Sequence, residues 1–105
     1  MIIDIRHTLS YYHPMDIVYD WDNDKNQKLI SSRGVSFEEV IAILESGTAL
    51  DVVDHPNQEK YSHQKMYIVE IAGYVYLVPF VQDKNKIFLK TIFPNRRAQK
   101  KYLGK

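Results

Sequence analysis

Cysteine is missing from all 105 residues. A disulfide scaffold, a cysteine nucleophile and a cysteine-ligated metal are thereby excluded, and a reducing compartment is favoured. Long apolar runs are also missing. The longest uncharged stretch, Ile71 to Gln82, has 12 residues and is too short for a membrane helix. The first residues include Asp4 and lack a long apolar core, so no secretory leader is visible and the expected location is the cytoplasm. There is no internal repeat, low-complexity tract or Gly/Ser linker. The last absence is the most telling. No acid follows Asp83, whereas Lys84, Lys86, Lys90, Arg96, Arg97, Lys100, Lys101 and Lys105 all do. The first 83 residues hold six basic and all 13 acidic residues, a local balance of −7. A net charge of +1 thus conceals an acidic body and a basic end, which suits a polyanion, an acidic partner segment or a solvated tail.

What is present is ordinary globular material. At 45% hydrophobic and 12% aromatic residues the chain has enough to bury one core, and its length fits a single domain. Residues 1–16 stand apart, with Tyr11, Tyr12, His13 and Pro14 following no period. They form an extension whose order the pattern leaves open, and 17–105 form the domain.

Ile17 to Trp21 reads as a short strand. Asp22 is placed to cap a helix running to Arg33, with Gly34 at its end. Ser36 and Glu39 have capping-box spacing, and Phe37, Val40, Ile41 and Leu44 make one apolar stripe on a second helix. Strands are expected at Thr48–Val53, Gln64–Ala72, Tyr74–Val81 and Ile87–Phe93. Pro94 is expected to open a final basic helix reaching Tyr102. The hairpin-like spacings predict an α+β fold, with an antiparallel sheet of about four strands and helices packed on one face.

Several motifs fail. Asp20, Asp22 and Asp24 imitate the start of a calcium loop, but Lys25 and Ser31 occupy the positions that need Gly and Glu. His55 and His63 are too far apart for a helical metal pair. No P-loop, G-x-G-x-x-G or G-x-S-x-G occurs. No metal or cofactor is therefore expected.

One combination is more specific. Tyr19-Asp20-Trp21-Asp22-x-x-Lys25 is followed by Arg33-Gly34-Val35-Ser36-Phe37-Glu38-Glu39. After the strands come Ile92-Phe93-Pro94-Asn95-Arg96-Arg97-Ala98 and Lys100-Lys101-Tyr102. The pattern resembles the BrnT family of toxins from bacterial toxin–antitoxin pairs, whose members resemble the RelE class of small ribonucleases in fold. It departs in having Arg33 where the family often has His, Pro94-Asn95 in place of Ser-Ala, and its own sequence from Lys60 to Lys65. The resemblance implies a toxin that cleaves RNA without metal and blocks translation. It also implies an antitoxin, usually of ribbon–helix–helix type, through which operator DNA is bound.

Metal-free RNA cleavage needs help in removing the 2′-OH proton, charge stabilisation at the phosphate and a proton for the leaving 5′-oxygen. Arg96 and Arg97, at the start of the last helix, suit the phosphate. His63 and Lys65, two apart, are candidates for proton transfer, and Lys90 is a candidate site cation in its strand. Lys60, Lys100, Lys101 and Tyr102 are candidate RNA contacts. Tyr67, Tyr74 and Tyr76 suit either a stacking surface or a half-buried sheet. The alternative to a nuclease is a non-catalytic module that binds nucleic acid or the antitoxin.

Overall fold

A computed structural model describes residues 16–105. The expected extension, but for Asp16, lies outside the described residues. In chain order the elements are β1 (Val18–Asp20), α1 (Asn23–Arg33), α2 (Phe37–Ser46), β2 (Asp51–Asp54), β3 (Gln64–Ile71), β4 (Tyr74–Asp83), β5 (Lys86–Leu89), β6 (Phe93–Pro94) and α3 (Arg96–Leu103).

Capping chemistry sets the helical hairpin. The Asp22 carboxylate accepts from the N–H groups of Asp24 and Lys25 at 2.8 and 3.3 Å, satisfying donors that have no partner inside α1. Ser36 and Glu39 close the expected box: Glu39 N–H donates to Ser36 Oγ at 3.2 Å and Ser36 N–H to Glu39 Oε1 at 3.0 Å. Between the helices lies Asn26, a buried polar side chain. It accepts from Phe37 N–H at 2.8 Å and donates to Glu38 Oε1 at 2.7 Å, tying α1 to the first turn of α2.

The sheet runs in the order β1-β5-β4-β3-β2, with β6 pairing β4 beyond β5. It is α+β as expected but larger, with six strands. It is also mixed, because β1 lies parallel to β5 while the other pairings are antiparallel. The expected strand Ile87–Phe93 is two strands, and Pro79 accounts for the break. The carbonyl of Pro79 accepts from Lys90 N–H at 2.8 Å, so its backbone faces the β5–β6 side. There β4 changes partner, from β6 at Tyr76–Leu77 to β5 at Phe80–Asp83, and a residue without an N–H loses no ladder bond. The turn between β3 and β4 has two residues, Ala72 (φ 52°) and Gly73 (φ 84°), so Ala72 ends the turn's first half rather than β3.

Helices cover both faces, not one. Leu29, Val35, Phe37 and Val40 of the hairpin pack on Tyr67, Val69, Tyr76, Val78, Phe80, Ile87, Leu89 and Ile92. Ala98, Tyr102 and Leu103 of α3 pack on Met66, Ile68, Val75 and Leu77, which point the other way. Central strand β4 therefore reads as a continuous apolar run, because alternate residues serve two cores. Among the described residues no helix is long and apolar enough to cross a membrane.

Candidate nucleic-acid interface

The cations gather on α3, and three tethers fix that helix. Asn95, not Pro94, is its N-cap, with Oδ1 accepting from Ala98 N–H at 2.8 Å. Pro94 belongs to β6, opposite Tyr76. The second tether is Gln99, whose Oε1 accepts from Val75 N–H at 2.7 Å and whose Nε2 donates to the Gly73 carbonyl at 3.1 Å. With Asn95 N–H donating to the Val75 carbonyl at 3.2 Å, α3 thereby closes the start of β4, which β6 leaves unpaired. The third is the Tyr102 hydroxyl, which donates to Asp51 Oδ2 on β2 at 2.6 Å. This bond holds the Asp51 carboxyl below the usual carboxylate range, helped by the Val52 N–H, and raises the Tyr102 phenol.

With Ala98, Gln99, Tyr102 and Leu103 facing the sheet, Arg96, Arg97, Lys100 and Lys101 face outward and are exposed. Among the described residues none of Arg96, Arg97, Lys100 and Lys105 has a carboxylate within ion-pair distance. The Lys101 ammonium lies 5.3 Å from the centre of the Tyr102 ring. Beside the helix is an open cavity of about 430 Å³ lined by Tyr74, Pro94, Arg96, Gln99, Lys100 and Lys105, among others. Lys90 follows β5 on the face that α3 covers elsewhere, its ammonium 5.5 Å from the centre of the Phe88 ring. Ile92, two residues beyond Lys90, is buried in the opposite core, because the strand ends at Leu89.

The other candidates lie elsewhere. His63 precedes β3 and is exposed in the loop from His55 to His63, where the His55 and Tyr61 rings lie 4.3 Å apart, tilted by 38°. Lys60 sits in the same loop, 5.3 Å above the Tyr61 ring. From Gln64 to Glu70, the partner of Val75, is six strand residues, so this loop is about 20 Å from the start of α3. Lys65 belongs to the hairpin face, in register with Asp54 and 4.0 Å from its carboxylate. The structure thus assembles Arg96, Arg97, Lys100, Lys101 and Tyr102 and sets His63, Lys65 and Lys60 apart from them. Tyr67 and Tyr76 are core residues; Tyr67 stacks on Phe80 at 4.0 Å, and burial, then Tyr19, pushes its phenol up to about 12. Tyr74 alone of the three is exposed.

Sequence reasoning missed Gln99 and Asn26, whose partners are 24 and 11–12 residues away. It also missed Arg33, whose guanidinium donates to the Ile92 carbonyl at 2.7 Å and ties α1 to the β5–β6 link.

A mixed sheet held between a capped helical hairpin and a short basic helix whose cations face outward defines the domain. Residues 21–101 match the family described as ribonuclease toxin, BrnT, of type II toxin-antitoxin system. The chain belongs to this BrnT family, whose members work with an antitoxin partner. No curated protein and no solved structure matches it.

Proposed function

We propose that the chain is a metal-independent endoribonuclease that cleaves RNA and inhibits translation, with α3 as its phosphate-binding element. The observation that carries this reading is the set of cations on α3 that have no carboxylate partner among the described residues, next to an open cavity. Arg96 and Arg97 occupy the first helical turn, where backbone N–H groups also point at an anion. A guanidinium grips two phosphate oxygens and stabilises the charge that builds as the 2′-oxygen attacks phosphorus and the 5′-oxygen leaves. Lys100, Lys101 and Lys90 extend the positive surface along the strand's backbone. Tyr102 keeps its hydroxyl on Asp51, so its part is to hold α3 in place. The antitoxin, of ribbon–helix–helix type on this reading, covers the same helix with acidic residues and carries the contact to operator DNA.

The test is cleavage of RNA by the purified, partner-free protein in excess EDTA, with and without ribosomes. Wild type leaves 2′,3′-cyclic or 3′-phosphate ends. The Arg96→Ala/Arg97→Ala variant, folded by circular dichroism, cuts at least about 100-fold more slowly, the usual loss on removing a transition-state donor. A folded wild type that cuts neither free nor ribosome-bound RNA overturns the catalytic reading in favour of a binding module.

A further inference from the structure

We infer that the cavity beside α3 is a subsite for one nucleotide of single-stranded RNA, with Tyr74 as the platform for its base and Arg96, Lys100 and Lys105 holding adjacent phosphate charge. This rests on the RNA reading above and adds a residue and a mode of recognition to it.

Tyr74 is 62% exposed, more than any other large hydrophobic residue in the described chain. Its backbone is pinned on both sides. It follows the two-residue turn, pairs with Ile71 in the β3–β4 register, and neighbours Gly73 and Val75, which Gln99 binds from both ends of its amide. The cavity that Tyr74 lines is about 430 Å³, within the size range of small-molecule sites. Arg96 and Lys100 line it one helical turn apart, about 6 Å along the axis, so they can meet one phosphate together or two in succession.

The wall also says how a base would be recognised. Gln99 is the amide best placed to read a base edge, but both its polar atoms are taken by backbone. Affinity there comes from the flat face of Tyr74 and from charge, which tolerates any base but requires it to be unstacked from a duplex. An acidic peptide would use the same cations and gain nothing from an aromatic ring, so Tyr74 discriminates between the two kinds of partner.

The experiment is fluorescence anisotropy with a short, mixed-sequence, fluorescein-labelled 2′-O-methyl RNA, which resists cleavage, over a series of salt concentrations. Tyr74→Ala should weaken binding roughly tenfold without changing the salt dependence, since a stack and not an ion contact is lost. Tyr74→Phe and Tyr74→Trp should retain wild-type affinity, and Tyr74→Leu should not. Arg96→Ala with Lys100→Ala should lower the slope of log K against log salt by about 1.4. Identical thermal melts of the Tyr74 variants show that the fold is intact. Wild-type affinity in Tyr74→Ala or Tyr74→Leu, or equal affinity for a duplex, overturns the platform while leaving RNA binding by α3 standing. A Tyr74→Ala variant that loses poly-glutamate binding as much as RNA binding overturns it in favour of a protein partner. A wild type that binds no RNA at low salt removes the RNA reading itself, and the platform with it.

Discussion

Replacing Asn26 by Ala tests how the helical hairpin is held. Asn26 is 1% exposed, and Phe37, whose N–H it receives, is fully buried. Alanine leaves that N–H without a partner, at about 1–3 kcal/mol. It also removes the 2.7 Å bond to Glu38, which solvent discounts because Glu38 is exposed. A total near 3 kcal/mol is a large share of the roughly 5–15 kcal/mol that stabilises a small domain. For a chain of this size it lowers Tm by roughly 10–20 °C. Urea unfolding and thermal melts followed by circular dichroism measure both figures. Asn26→Asp sharpens the test. It keeps the acceptor for Phe37 but sets a second carboxylate against Glu38, in a buried place. Both effects raise the folded-state pKa of residue 26 above its unfolded value. The variant is then most stable below the unfolded pKa, about 4, and loses stability as pH rises through the folded one. A loss under about 1 kcal/mol in Asn26→Ala, or a flat pH profile in Asn26→Asp, would refute the assigned bonds.

Three further outcomes follow from single contacts. Ala72 has φ 52° in the first of two turn positions, so Ala72→Asn, which tolerates that backbone, should stabilise by about 0.5–1 kcal/mol in urea unfolding. Tyr102→Phe should be less stable than wild type near neutral pH. The gap should close as pH falls through the lowered Asp51 pKa, and again in alkali as the raised Tyr102 phenol ionises. A gap independent of pH would mean that the 2.6 Å bond does not contribute. Gln99→Ala should cost about 1–2 kcal/mol and reduce RNA cleavage further than that loss of fold explains, because α3 is released from Val75 and Gly73. Unaltered cleavage by the folded variant would confine Gln99 to stability.

What the sequence made legible was local. Asp22, Gly34, and Ser36 with Glu39 mark helix ends through bonds to residues two to four positions away, so α1 and the start of α2 fell where expected. The basic end was equally plain, since its cations are neighbours along the chain. Layering was not, because Tyr67 and Met66 are adjacent in sequence and belong to opposite cores. The parallel pairing of β1 with β5 joins residues 68 apart and leaves no local signal. His63 and Lys65 looked like one site because strand alternation puts residues two apart on one face. The strand begins only at Gln64, and its register turns Lys65 to the hairpin side. Tyr74 carries the same strand signature as Tyr67 and Tyr76, and its exposure follows from its place at the end of β4, outside the core that buries Tyr76.

The strongest argument that α3 serves a ligand is that it is poorly designed as a helix. It has eight residues, too few to hold itself, and no acid in its first turn. Arg96 and Arg97 oppose the helix dipole, and the pairs Arg96–Lys100 and Arg97–Lys101 repel one turn apart. Asn95, Gln99 and Tyr102 offset this by binding the helix to backbone and to Asp51. A helix meant only to cover Met66, Ile68, Val75 and Leu77 could do so with mixed charges. Arg96→Glu therefore separates the two purposes. It favours the dipole and turns one repulsion into an attraction, which together should raise stability by about 1 kcal/mol. The same change should abolish RNA binding and cleavage. Stability and RNA affinity moving in opposite directions means that the cations are kept for the ligand at the fold's expense. Were both to fall together, Arg96 would be holding the helix in place, and the phosphate would have to be sought elsewhere.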